Sequence, residues 1–188
     1  MEPTTLHIKN MVCSRCQKVV RQELEKMGLH PLRVTLGEVT LGEPAAQIDK
    51  NAVGTALAQH GFELLDDKKA WMIEKIKSTV IEAIHHQQAV PHPFSDLIAR
   101  RLGLDYAYLS SLFSAAEGIS IEKYVILQRI ERVKELLVYD ELSLSQIADQ
   151  TGYSSVQYLS NQFRKITGLT PSYYKKFRTD KRRPLDEI

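Results

Sequence analysis

Hydrophobic positions change their period near residue 70. Before that point short alternating runs are interleaved with helical ones. Leu6-His7-Ile8 alternates as a half-buried strand does, with Met11 just beyond it. From Cys16 to Met27, the positions Val19, Val20, Leu24 and Met27 fall at helical spacing, and Gly28 stops that run. Leu32–Leu36 and Val39–Leu41 read as two extended segments joined through Gly37-Glu38. Asp49 can cap a second helix with Val53, Ala56 and Leu57 on one face and Gly61 at its end. Phe62–Leu65 then reads as a last strand. Beyond residue 68 the pattern is helical throughout. Lys68–Gln88 predicts one amphipathic helix with Ile73, Ile76, Val80 and Ile84 on one side. Pro91 and Pro93 interrupt, because prolines so close together cannot continue a helix.

The order strand, helix, strand, strand, helix, strand is the split-βαβ, ferredoxin-like arrangement. The predicted class is therefore α+β: a ferredoxin-like βαββαβ domain over residues 1–68, a connecting helix over 69–90, an all-α domain over 91–180 and a basic tail over 181–188.

The all-α part repeats itself. Ile98-Ala-Arg-Arg-Leu-Gly103 corresponds to Ile147-Ala-Asp-Gln-Thr-Gly152 at an offset of 49 residues. Tyr108-Leu-Ser-Ser-Leu-Phe113 corresponds to Tyr158-Leu-Ser-Asn-Gln-Phe163 at an offset of 50, so one residue is gained or lost in the turn. Each copy has a short helix carrying Ile and Ala inward, a glycine for a sharp turn, and a second helix. The Leu and Phe of that second helix pack back while its other face stays polar. That is a helix-turn-helix, twice. Between the copies, Ile121–Tyr139 predicts a helix facing a core with Ile126, Ile130, Val133 and Leu137. Thr170-Pro171 starts a closing helix with proline at its first position.

Composition and charge refine this picture in two places. At 43% hydrophobic and 26% charged, the chain is outside the disordered regime, and its net charge of +2 conceals local excess. Residues 161–183 hold eight basic side chains (Arg164, Lys165, Lys175, Lys176, Arg178, Lys181, Arg182 and Arg183) against one acid, Asp180, which suits a phosphate backbone. No apolar run is long enough to span a bilayer and the first residues lack the pattern of a secretory signal, so a cytoplasmic location and no membrane partner are expected. No Ser-His-Asp set, phosphate-cradling glycine loop or paired-carboxylate site can be read, which argues against an enzyme.

Over residues 72–178 the chain resembles the AraC/XylS family of regulators. The likeness is most specific in Ile147-Ala-x-x-x-Gly-Tyr153 and in Tyr158-Leu-Ser-x-x-Phe-Arg-Lys-x-x-Gly168-x-Thr-Pro171-x-x-Tyr174. The resemblance implies double-stranded DNA as partner, with RNA polymerase beside it. It places Val156, Gln157, Asn161 and Gln162 toward bases in the second copy, next to Ser155, and Ala107, Ser110 and Ser111 in the first, next to Tyr106. Gln and Asn can pair bidentately with adenine, and Val can touch a thymine methyl. Family members often place Arg where the first copy has small residues, so that copy is expected to supply shape fit and backbone contacts. Arg164 and Lys165 are the expected phosphate clamps, ahead of Lys175 and Lys176.

Only two cysteines occur, Cys13 and Cys16, between the first strand and the first helix. At a helix N-terminus beside Arg15, both thiolates are expected to be stabilised. Two thiolates suit a soft ion of low coordination such as Cu(I), whereas Zn(II) wants more ligands. Residues 4–66 resemble the heavy-metal-associated (HMA) domain of copper chaperones, which shares the strand order and a Met-x-Cys-x-x-Cys loop. Asn10 and Val12 depart from the glycine and the hydroxyl or histidine usual around that methionine. The resemblance implies that Met11 packs rather than ligates, and that Phe62, with His60 close by, lies near the metal. A thiol redox switch and a fold kept only for docking remain open at these residues, and no organic cofactor is implied. The pair His85-His86 reads as solvated. A DNA-binding regulator modulated by Cu(I), Zn(II) or thiol state is the leading expectation; the alternative is a metallochaperone or redox protein whose helices form a docking module.

Overall fold

The computed structural model describes residues 3–65, 67–86 and 93–177. The chain divides into two compact units, Met1–Ser78 and Thr79–Ile188.

The first unit runs β1 (Thr4–Lys9), α1 (Ser14–Lys26), β2 (Pro31–Thr35), β3 (Glu38–Leu41), a short 3₁₀ turn, α2 (Lys50–Ala58) and β4 (Glu63–Leu65). Its strands form one antiparallel sheet in the order β2-β3-β1-β4. The period-2 pattern decides which way β1 faces: Leu6 and Ile8 enter a core with Val39 and Leu41 of the sheet, Val20 and Leu24 of α1, and Val53 and Leu57 of α2. The β2–β3 hairpin turns at Gly37, whose φ of 77° is left-handed and easily reached only without a side chain. Asp49 caps α2 by accepting the N–H groups of Asn51 and Ala52. The alternate residue of β1, His7, points to the other face of the sheet. There its ring lies 4.8 Å from that of Trp71 in α3 (Lys68–Ile81), and Lys75 reaches Glu38 at 2.9 Å.

The division between units falls inside the helix expected to connect the domains. From Glu82 to His86 that helix widens into a π-helical turn, and residues 87–92, with Gln88 and Pro91, lie outside the described residues. Of the positions expected to face inward, Ile76, Val80 and Ile84 are buried, but Met72 takes the buried place that Ile73 was given. His85 is a clearer correction. Its side chain is 4% exposed, with Nε2 3.1 Å from Gln128 Oε1 and Nδ1 3.7 Å from Glu135 Oε2. Packing against a later helix buries this residue, and a local pattern cannot show that; His86 is exposed, as expected.

The second unit is all helix: α4 (Phe94–Leu102), α5 (Tyr106–Glu117), α6 (Ile121–Tyr139), α7 (Leu144–Gln150), α8 (Val156–Thr167) and α9 (Pro171–Phe177). Side-chain oxygens cap four of them: Asp105 on α5, Ser120 on α6, Ser143 on α7 in a capping box with Gln146, and Ser155 on α8. The change of repeat offset lies in the turns. Between α4 and α5 run Gly103, Leu104 and Asp105, whereas Gly152 is followed by Tyr153, Ser154 and Ser155 before α8. Both glycines have positive φ, 66° and 73°, the conformation that folds the second helix of each copy back across the first.

The long α6 serves both copies. Ile121 and Tyr124 are buried near its start, where Tyr124 meets Phe113 edge-on at 5.6 Å. Ile130, Val133 and Leu137 share a core with Ile147, Leu159, Phe163 and Tyr174. Between these clusters Arg129 lies over the Phe94 ring at 5.5 Å and over the Tyr153 ring at 5.8 Å, so one guanidinium touches a residue of each copy.

Candidate nucleic-acid interface

The second helix of each copy buries one face and presents another. In α8, Leu159 and Phe163 are fully buried, while Gln157, Asn161 and Lys165 form an exposed line at four-residue intervals with Arg164 beside it. Gln157 Nε2 donates to Asn161 Oδ1 at 3.2 Å, so the two amides are held as one surface. Gln162 is half-buried. Two expected members of this set are used internally. Val156 packs on the core of the second copy, and Ser155 Oγ accepts the Tyr158 N–H at 3.1 Å as the helix cap.

In α5 the corresponding line is Ala107, Ser111 and Ala115, all exposed, with Ser110 half-buried. Tyr106, expected beside the bases, is tied to α6: its hydroxyl donates to Glu122 Oε1 at 2.6 Å. Burial, then this carboxylate, pushes the phenol well above its ordinary range, and the same bond holds Glu122 low. Among the weaker basic candidates, Lys175 is ion-paired with Asp140. Arg178, Lys181, Arg182 and Arg183 lie outside the described residues. Sequence reading passed over Tyr108 and Tyr158. Both stand exposed on these helices, 48% and 54%, and the repeat aligns them with each other.

This duplicated geometry has relatives. A helix-turn-helix domain family matches residues 98–176. The HTH-type transcriptional regulator YtdP of Bacillus subtilis is 33% identical over 102 residues, covering 54% of this chain and 13% of its own length. The Msm operon regulatory protein of Streptococcus mutans is 31% identical over 97 residues, covering 52% of this chain and 34% of its own length. In fold, the C-terminal domain of AraT, a response regulator from Geobacillus stearothermophilus, matches with a TM-score of 0.51 at 24% identity, covering 62% of this chain and 95% of that one. The C-terminal region is an AraC-family helix-turn-helix DNA-binding domain. The AraC-type relatives are transcriptional regulators, which are not enzymes. The chain spans about a third or less of the two relatives just described.

Ahead of the AraC-family domain, the cysteine loop has its own geometry. Cys13 is the N-cap residue of α1 and Cys16 lies in its first turn. Their sulfurs are 3.4 Å apart and both residues are half-buried. The thiols are not alike, which corrects the expectation that both are activated. Burial opposes ionisation of Cys13, but the Cys16 N–H, the Cys16 thiol and Arg15 outweigh it and lower its pKa. Burial and the neighbouring Cys13 raise that of Cys16. Asn10 has a φ of 70°, a left-handed position that asparagine tolerates better than most residues, and its side chain donates to Gly61 O at 2.9 Å. Its occurrence in place of the expected glycine therefore has a backbone reason. Met11 and Phe62 are buried in the core of the first unit, and His60 pairs with Glu23 at 3.4 Å. Among the described residues no three His, Cys, Asp or Glu side chains cluster as a metal cage, and no helix is long and apolar enough to cross a membrane.

Proposed function

We propose that the chain is a sequence-specific, DNA-binding regulator of transcription that reads DNA chiefly through α8. The carrying observation is the exposed Gln157–Asn161–Lys165 line, amides linked and cation adjacent, on the second helix of the second copy. Coupled amides suit the donor and acceptor edge of adenine, and Arg164 and Lys165 suit the flanking phosphates. The α5 face lacks both kinds of group, so the first copy acts as an anchor with little direct readout. RNA polymerase as a further partner belongs to this same proposal.

The N-terminal unit is proposed to be an HMA-like, ferredoxin-like domain. The β2-β3-β1-β4 order and the cysteines at the start of α1 support that reading. Two thiols on one loop suit a soft ion of low coordination such as Cu(I), for which the sulfurs would have to open from their 3.4 Å separation, while Zn(II) would need donors from elsewhere. When bound, such an ion would crosslink the loop through its two sulfurs. The first turns of α3 cover the opposite face of the same sheet, and the chain continues from them toward the AraC-family domain. Ligation that changes sheet packing on α3 would thereby bias the spacing of α5 and α8, and the coupling would be reciprocal.

The test is binding of the reduced full chain to a selected DNA pool, alone, with Cu(I) and with Zn(II). Salt-dependent, sequence-selective binding altered by Cu(I) is the expected result. Binding without selectivity would defeat the regulator reading. Equal affinity of the apo, metal-treated and Cys13→Ser/Cys16→Ser forms would defeat the sensing reading alone.

A further inference from the structure

Each AraC-type copy exposes one large aromatic residue that folding does not explain. Tyr108 and Tyr158 are each the third residue of their helix, α5 and α8. Each gives its backbone N–H to the helix cap, Tyr108 to Asp105 Oδ1 and Tyr158 to Ser155 Oγ, both at 3.1 Å. Each precedes a leucine that is fully buried, Leu109 and Leu159. The tyrosines themselves are about half exposed, and neither hydroxyl has a hydrogen-bond partner among the described residues. The Tyr158 ring is braced edge-on by Tyr153 at 5.8 Å. Tyr106, two residues before Tyr108, differs in having its hydroxyl engaged by Glu122.

The charges around the two helices differ sharply. The second copy has Arg164 and Lys165 exposed on α8. The first has no cation on α5, because no Lys or Arg occurs between Arg101 and Lys123. Arg101 itself is held by Glu82 at 2.5 Å, and Arg100 Nε donates to Asp96 O. If α5 anchors its copy on DNA, its contact with the backbone must come from neutral donors. Ser110 and Ser111 are short; Tyr108 carries the only long, uncommitted donor there.

We propose that Tyr108 and Tyr158 are matched DNA-backbone clamps, each donating its phenolic hydroxyl to a phosphate oxygen. Tyr108 then supplies the anchoring contact of a first copy that has no cation on its second helix. The proposal rests on the DNA-binding reading above. A tyrosine hydroxyl is a regular donor to phosphates, and it positions the protein without reading sequence. Being neutral, it displaces no condensed counterion, so it should leave a salt signature unlike that of a lysine.

Binding of the full chain to one selected duplex would be followed by anisotropy across a salt series. Tyr108→Phe removes only an exposed hydroxyl and should unfold at the wild-type temperature. It should weaken binding by roughly ten- to a hundredfold, the range for one hydrogen bond to a charged acceptor, with the slope of log K against log salt unchanged. Tyr158→Phe should behave alike, while Lys165→Ala should make the slope shallower by about 0.9. A neutral methylphosphonate at the contacted position should abolish the difference between wild type and Tyr108→Phe. Wild-type binding retained by Tyr108→Phe would overturn the clamp while leaving the DNA-binding reading intact. A wild-type chain that binds no duplex selectively would overturn both.

Discussion

Gln157 Nε2 lies 3.2 Å from Asn161 Oδ1, one turn apart on the exposed face of α8. The bond leaves the Gln157 oxygen as an acceptor and the Asn161 amide nitrogen as a donor, and each fixes the orientation of the other. An amide held in place loses less rotamer freedom when it meets a base edge than one that swings free.

Asn161→Ala should therefore remove two things, its own contact and the brace on Gln157. Discrimination at one base pair should fall by about 1–3 kcal/mol, with a smaller loss at a neighbouring pair. Competition binding against single-base variants of a selected site measures this. Unaltered preference at every position would contradict the assignment of α8 as the reader.

Lys165→Ala should act on all sequences alike. With no ion pair to a described residue, the lysine is available for phosphate, and its loss should lower the salt slope by about 0.9. Sequence preference should survive. A change of preference without a change of slope would move Lys165 from the backbone to the bases.

Much of this arrangement was legible in the chain. The duplicated Ile-Ala…Gly and Tyr-Leu-Ser…Phe runs announce two helix-turn-helix copies, because buried positions at fixed spacing and a turn glycine are local demands. Asp49 and the Thr170-Pro171 start were readable for the same reason. What escaped depends on residues distant in sequence. Tyr106 looks like its exposed neighbours until Glu122 on α6 claims its hydroxyl. His85 looks solvated until Gln128 and Glu135 enclose it. The unequal thiols escaped too, since helix position favours both anions but burial and mutual repulsion leave room for one.

Tyr153 offers a test of packing between the two copies. It is buried, its ring lies 5.8 Å from the Arg129 guanidinium, and its hydroxyl has no hydrogen-bond partner among the described residues. Burial raises its pKa to about 12, and Arg129 opposes that rise. Tyr153→Phe keeps the ring and deletes an unsatisfied oxygen, so it should raise stability, by about 1 kcal/mol. Phe163→Ala, which empties a fully buried site in the same core, should cost about 3–5 kcal/mol. Urea unfolding of the full chain compares the three proteins. A Tyr153→Phe protein less stable than wild type by 1 kcal/mol or more, a size typical of a net hydrogen bond, would mean that the hydroxyl is bonded in solution.

His7 gives the first unit a pH dependence whose sign is fixed by its surroundings. Its ring lies 4.8 Å from that of Trp71. Burial lowers its pKa from 6.5; Glu38 opposes the shift and Lys75 adds to it. The folded chain therefore holds His7 neutral at pH values where the unfolded chain has bound a proton. As the pH falls through 6.5 the unfolded state gains that proton first, and stability declines until the lower folded value is passed. Below that point both states are protonated and this contribution changes no further. His7→Phe retains a ring against Trp71 and removes the titration. Melting temperatures of the two proteins, compared from about pH 7.5 to about pH 5, should diverge in favour of the variant as acid is added. A difference constant across that range would show that His7 titrates alike in both states, and that Trp71 does not keep it from water.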